Sequence, residues 1–221
     1  MACIIFKNFI LNQQRNSKYE NYWVQLDIQL RSQIKMALLG TLASPVSLVR
    51  GQLASLIAAI ASLEIPRGEW ADLLPNLSQN AEHNDFNIRL ASLTTLGYIC
   101  EEIEPQDIND QIKNGVILAL INNLSSSQTA ESLKLGQVAS RALYHSIPFA
   151  SQNFRIQHER DYIMGKIFQA MEANDEDIQE SMLQCLTEIS TQEYESLQHY
   201  FSKICLLTQT ASTHPSPRVG A

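Results

Sequence analysis

The chain is 221 residues long, 45% apolar, 7% aromatic and carries a formal net charge of −7. That apolar content excludes an intrinsically disordered chain. The acidic balance argues against nucleic acid as the principal partner, because phosphate binding needs a basic face. Gly (8) and Pro (7) are scarce, which suits helices joined by short loops better than a β-sandwich.

Helical periodicity runs through the sequence. The first apolar helix is expected over 3–11, and a long amphipathic run over 19–42 is stopped by Ser44-Pro45. A helix over 46–65 ends at Pro66, and one over 69–80 should bend near Pro75. Asn84 or Asp85 can cap a helix over 84–103, which Pro105 terminates. Further helices are predicted over 108–124, 129–146, 158–172, 177–190 and 194–208, with Ser125-Ser126-Ser127 as a loop and an acidic turn at Asn174–Glu176. The Pro-containing stretch 209–221 is expected to be a disordered tail.

Two of these helices echo one another. Leu53-Ala54-Ser55-Leu56 and Leu90-Ala91-Ser92-Leu93 lie 37 residues apart, and each leads to an acidic-Ile exit, Glu64-Ile65-Pro66 and Glu102-Ile103-Glu104-Pro105. A period near that length signals stacked helix pairs of the HEAT or armadillo type. The predicted fold is therefore an all-α solenoid, a right-handed superhelix over 1–208 of about five repeats, incomplete at both ends. Its first helix (Ile4, Ile5, Phe6, Phe9, Ile10) and its last (Phe201, Ile204, Leu206, Leu207) should have uncovered apolar faces.

Site chemistry is sparse. His158-Glu159 opens like a zinc-protease helix, but Tyr162 stands where the second ligand belongs. The acidic turn lacks the glycine of a calcium loop, and no phosphate-binding glycine loop or nucleophile elbow is present. No enzyme activity, metal or cofactor is expected. The dispersed cysteines, Cys3, Cys100, Cys185 and Cys205, read as buried reduced thiols. No signal peptide or membrane span is expected, since apolar runs are interrupted well short of about 18 residues.

Helical wheels are more informative. At about 100° per residue, Val116, Leu120, Leu124, Ile117 and Ile121 fill an arc of about 140°, and Leu118 stands about 60° outside it. One-sided packing needs a stripe only slightly wider than about 100°, so Ile117, Leu118 and Ile121 form surplus apolar surface. On the helix from His158, Ile163, Met164, Ile167 and Met171 make the core stripe. Tyr162 falls about 150° from its centre, with Glu159 between Tyr162 and Ile163 on the wheel. Side by side, these two helices would border an apolar groove with a carboxylate at its rim; ordinary packing between neighbouring repeats is the alternative.

The run Ile57-Ala58-Ala59-Ile60-Ala61-Ser62-Leu63-Glu64-Ile65-Pro66-Arg67-Gly68-Glu69-Trp70, followed by Leu73-Leu74-Pro75, resembles the importin-β (karyopherin-β1) family. So do Ala91-Ser92-Leu93, Gly97-Tyr98-Ile99-Cys100-Glu101 with Pro105 beyond, and Glu159-Arg160-Asp161-Tyr162-Ile163-Met164. The resemblance implies a nuclear transport receptor, moving between cytoplasm and nucleus through the nuclear pore. Its implied partners are Phe-Gly repeats of nucleoporins, Ran-GTP, and importin-α or basic cargo, whose sites fall mostly outside this chain; neither nucleic acid nor membrane is among them. By alignment with the family, the Phe-Gly pocket falls on Ile117, Leu118, Ile121, Glu159, Tyr162 and Ile163. Tyr162 replaces a usual Phe and Leu118 a usually polar residue. Lys7, in a Lys-Asn pair similar to that of the family's second repeat, is the candidate Ran contact. A HEAT scaffold without a transport role is the rival reading.

Overall fold

In a computed structural model, the structure describes residues 2–15, 22–124, 129–173, 175–214 and 216–220. The Ser125-Ser126-Ser127 loop, Asn174 of the acidic turn and the side chain of Phe9 lie outside the described residues. The described residues are helical and contain no strand. They divide into two units, Met1–Asn109 and Asp110–Ala221.

The first unit holds α1 (Ala2–Arg15), α2 (Tyr22–Gln25), α3 (Ile28–Thr41), α4 (Ser47–Glu64), α5 (Leu73–Asn80) and α6 (Phe86–Glu102). Helix α4 is central and packs against α1, α3 and α6. Its Ala54, Ala58, Ala59 and Ala61 are fully buried, and small side chains let neighbouring helix axes come close. The Leu-Ala-Ser-Leu echo thus marks α4 and α6, two helices that lie against each other. With its 3-10 extension, Ser47–Arg67 is long and apolar enough to pass for a membrane span, yet two-thirds (67%) of its most apolar stretch is buried inside the fold.

The expected run 19–42 is broken. Asp27 caps α3, its carboxylate accepting from the backbone N–H of Gln29 and Leu30. The short α2 before it buries Trp23, whose ring meets Phe6 edge-on at 6.0 Å. Nor does Pro75 bend a helix. It lies in the first turn of α5, where a missing N–H leaves no bond unmade, and the preceding residues form a turn that buries Trp70. Gly68 (φ 72°) ends the 3-10 turn after α4 in the left-handed region.

A buried ionic cluster ties these pieces together. Glu64, with no exposed surface, accepts from Trp23 Nε1 (3.1 Å), Arg31 Nη1 (3.1 Å) and Lys35 Nζ (2.5 Å). Arg31 also reaches Glu69 at 2.5 Å, and Lys35 lies 4.8 Å from the centre of the Trp70 ring. The Glu69 hydrogen bond, opposed by burial, holds the Arg31 guanidinium above its ordinary pKa.

The second unit holds α7 (Asp110–Asn122), α8 (Ala130–Ser146), α9 (Ser151–Arg155), α10 (Gln157–Met171), α11 (Glu176–Gln192), α12 (Phe201–Ser212) and α13 (Pro217–Gly220). Thr129 and Asp175 cap α8 and α11 through their side chains. Helix α8 packs on α7 and α11, and α10 on α9 and α11. Residues 147–155 carry no helical signal in the sequence, yet they form a 3-10 turn and α9, because Phe149 and Phe154 plug the core. The predicted 194–208 helix is instead a 3-10 segment over Tyr194–Tyr200 followed by α12.

The tail expected to be disordered over 209–221 is structured where it is described. Helix α12 continues to Ser212, and α13 folds back with Val219 buried and Arg218 paired to Asp177 and Glu180. Opposite charge and one apolar anchor outweigh the Pro-rich composition. The cysteine expectation also needs correction. Cys100 and Cys185 are buried, but Cys3 is half-buried and Cys205 exposed, because α12 turns that face to solvent. Of the apolar residues expected to be uncovered at the outer helices, Ile4, Ile5, Phe201 and Leu206 are exposed and Phe6, Ile204 and Leu207 half-buried, but Ile10 is fully buried.

Candidate functional site

The apolar stripe of α7 turns inward over a wider arc than the wheel anticipates. Val116 and Leu120 are fully buried, and Ile117 (3% exposed) and Ile121 (1%) follow them inward. Leu118, outside the arc, stays 49% exposed. On α10, Ile163, Met164 and Ile167 face the core while Tyr162 is 45% exposed. All six predicted positions, Ile117, Leu118 and Ile121 from α7 and Glu159, Tyr162 and Ile163 from α10, line one groove within the second unit, with a volume of about 430 Å³.

Ile117, Ile121 and Ile163 form its floor and the half-exposed Leu118 and Tyr162 its walls. The surplus flank inferred from the wheel is therefore narrower than expected: Leu118 is the only one of the three α7 residues that leaves much apolar surface in water. The Tyr162 hydroxyl donates to Asn122 Oδ1 at 3.2 Å, bridging α10 to α7, and the Lys166 ammonium sits 5.8 Å from the ring centre. The Tyr162 hydroxyl is thus spent on a partner across the groove.

Asn114, Asn153 and His158 complete the lining. Asn153 Nδ2 donates to Asn114 Oδ1 (2.9 Å) and to Glu159 Oε2 (3.0 Å). One buried amide therefore ties the floor helix to the carboxylate at the rim. Glu159 Oε1 lies 4.0 Å from His158 Nε2. With its side chain 34% exposed, Glu159 can accept an N–H from a bound segment. Chemically the groove offers an apolar slot for one ring, with a fixed acceptor at one end.

Asn114 was within reach of the wheel, one turn before Ile117 and Leu118 on the same face. Asn153 was not, since it sits on α9, which has no periodic signature. Lys7 belongs to the first unit. Its Nζ donates to Ser55 Oγ at 2.6 Å, which ties α1 to α4. Among the described residues, no group of three or more His, Cys, Asp or Glu side chains is placed to hold a metal ion.

Paired helices that bury one face in stacked neighbours, with a groove between the first helices of successive pairs, define a helical-repeat protein of the HEAT type. The family model described as IPO5-like, TPR repeats, matches residues 45–207. Importin subunit beta-1 of Arabidopsis thaliana is 33% identical over 213 residues, 96% of this chain and 24% of that protein. The Saccharomyces cerevisiae protein of the same name is 30% identical over 98% of this chain and 25% of its own length. Among solved structures, yeast importin-β (Kap95p) superposes with a TM-score of 0.83 at 28% identity, over 99% of this chain and 26% of that one. A Kap95:Nup1 complex gives 0.81 at 28% identity, over 99% and 26%. The chain belongs to the importin-β family, and it spans about a quarter of the length of these relatives.

Proposed function

We propose that this chain acts as an importin-β-like nuclear transport receptor, whose α7–α10 groove takes a Phe side chain from the Phe-Gly repeats of nucleoporins. The observation that carries this reading is the convergence of all six residues on one groove inside one unit. It is supported by a relative solved in complex with Nup1. The ring would lie on Ile117, Ile121 and Ile163 between Leu118 and Tyr162, and Glu159 would accept a peptide N–H. Each contact is small, so binding is weak and readily reversed.

Ran-GTP and importin-α or basic cargo are proposed for the opposite, second-helix face, and the working compartments are the cytoplasm, the nucleus and the pore between them. A solved relative bears on Ran: its Kap95p is described as inducing the switch loops of RanGDP to adopt the GTP-bound conformation. Lys7 would make that contact with the donors its ammonium keeps beyond the bond to Ser55.

The test is binding of an immobilised Phe-Gly peptide to Leu118→Asp. Leu118 is half in water, so the added charge leaves the fold intact and spoils only the groove. Loss of capture with unchanged helicity is expected. Capture equal to that of the unaltered chain would reject the groove and favour a scaffold without a transport role.

A further inference from the structure

We infer that the cavity between α3 and α5, in the first unit, is a second slot for a Phe-Gly segment, with a rim that both donates and accepts hydrogen bonds. The ligand rests on the Phe-Gly reading of the α7–α10 groove; the residues are all different.

Helices α3 and α5 open successive pairs in the first unit, as α7 and α10 do in the second. Residues of both line a cavity of about 420 Å³, close to the 430 Å³ of the α7–α10 groove. Leu42, Leu73, Leu77 and Ala91 are each at most 5% exposed and form an apolar floor. Leu39 is 37% exposed and supplies an apolar wall. No Asp, Glu, Lys or Arg is among the described residues that line it. An occupant is therefore uncharged where it touches, since a charge there would lose water and gain no counter-ion.

Gly40 borders the cavity from α3. Its φ is not positive, and a Cβ placed on it would meet nothing within 4 Å. Glycine weakens a helix relative to alanine, and here neither the backbone nor a neighbour demands it. Gly51, Gly115 and Gly165 are as open but do not line this cavity. What the missing side chain of Gly40 does is keep the slot clear.

Helix α5 contributes the polar rim. The exposed carboxamides of Asn76 and Asn80 lie one turn apart and both line the cavity. Asn76 spends an N–H on Asp72 Oδ2 at 3.2 Å and keeps its Oδ1. A carboxamide donates and accepts, as a peptide group does. A phenylalanine ring suits a leucine floor, and the glycine after it leaves the main chain bare enough for side-chain amides to reach. The two slots thus differ at the rim. Glu159 only accepts, so it takes a peptide N–H, whereas Asn76 and Asn80 can also hold a peptide C=O.

The experiment titrates a synthetic Ser-Ser-Phe-Gly-Ser-Ser peptide into the whole ¹⁵N-labelled chain. Two sets of saturable amide shifts are expected, one around Gly40, Leu77 and Ala91 and one around Leu118 and Tyr162. Leu118→Asp should remove only the second set. Gly40→Leu fills the slot from an open position and should remove only the first, with the urea midpoint of the first unit's tryptophan fluorescence no lower than in the unaltered chain. Leu39→Asp should act as Gly40→Leu does. Ser-Ser-Ala-Gly-Ser-Ser should move neither set. Shifts confined to α7 and α10 would overturn this inference and leave the Phe-Gly reading standing. Shifts around Gly40 that persist in both Gly40→Leu and Leu39→Asp, or that the alanine peptide reproduces, would also overturn it. Shifts confined to the α3–α5 cavity would support it and reject the α7–α10 groove, and no saturable shift anywhere would overturn both.

Discussion

Removing the Glu64 carboxylate tests whether the ionic cluster holds the first unit together. Glu64 has no exposed surface and accepts from three donors. The side chains of Arg31 and Lys35 are only 9% and 13% exposed. In Glu64→Ala, Arg31 keeps Glu69, whose side chain is 32% exposed, so solvent weakens that pair. Lys35 keeps the Trp70 face but loses its carboxylate, and the Trp23 indole N–H loses its acceptor. Stranding a buried charge in this way costs about 3–5 kcal/mol. Both tryptophans of the chain, Trp23 and Trp70, touch the cluster, so fluorescence in urea reports on this unit alone. With a slope of about 2 kcal/mol per molar, the midpoint should fall by about 2 M. Replacing the set together, as Glu64→Leu with Arg31→Met and Lys35→Met, should recover most of the loss, because the one carboxylate then left without its partner, Glu69, is part-exposed and can be solvated. A loss below about 1 kcal/mol in Glu64→Ala, or a triple variant no better than the single one, would refute the view of the cluster as a mutually dependent buried set.

Ile121→Asp should unfold the second unit as well as abolish Phe-Gly binding, since Ile121 is 1% exposed, whereas Leu118→Asp should lose binding only; circular dichroism of the two variants separates the effects. Tyr162→Phe removes the hydroxyl that bridges to Asn122 and should cost no more than about 0.5–1.5 kcal/mol by thermal melting while retaining peptide capture. Asn153→Ala releases both Asn114 and Glu159 and should cost about 1–3 kcal/mol, with weaker peptide capture than Tyr162→Phe. In the native chain, Cys205 and then Cys3 should react with a thiol reagent, and Cys100 and Cys185 only on unfolding. Burial raises the Cys100 pKa from 9.0 to about 12, and it also raises that of Cys185. The unfolded thiols therefore ionise first, so stability is fully present below pH 9.0 and falls as the pH rises toward about 12; alkaline melts should show the decline, and Cys100→Ala should reduce it.

The sequence is most legible where a residue's environment depends on its own helix. Leu118 and Tyr162 stand outside apolar stripes that can be counted residue by residue, and both are half-exposed where the wheel puts them. The alanine-rich echo places α4 and α6 together for the same reason. Legibility fails where tertiary contacts override local composition. Residues 19–42 read as one amphipathic run, but Asp27 caps a new helix and Trp23 is drawn to Phe6 and Glu64. Glu64 itself appears in the sequence only as the end of a motif; its three donors come from positions 29 to 41 residues earlier.

The groove shows both cases at once. Its apolar floor and walls obey helix periodicity, so they are visible in the sequence. The hydrogen bonds that fix its rim run through Asn153, on a short helix whose only cause is the burial of Phe149 and Phe154. Helix periodicity thus reveals where a ring can sit, while the orientation of the acceptor beside it is set by a connecting segment with no periodic pattern. Variants at Asn153 should therefore loosen the rim acceptor that sets peptide selectivity while leaving the isoleucine floor intact.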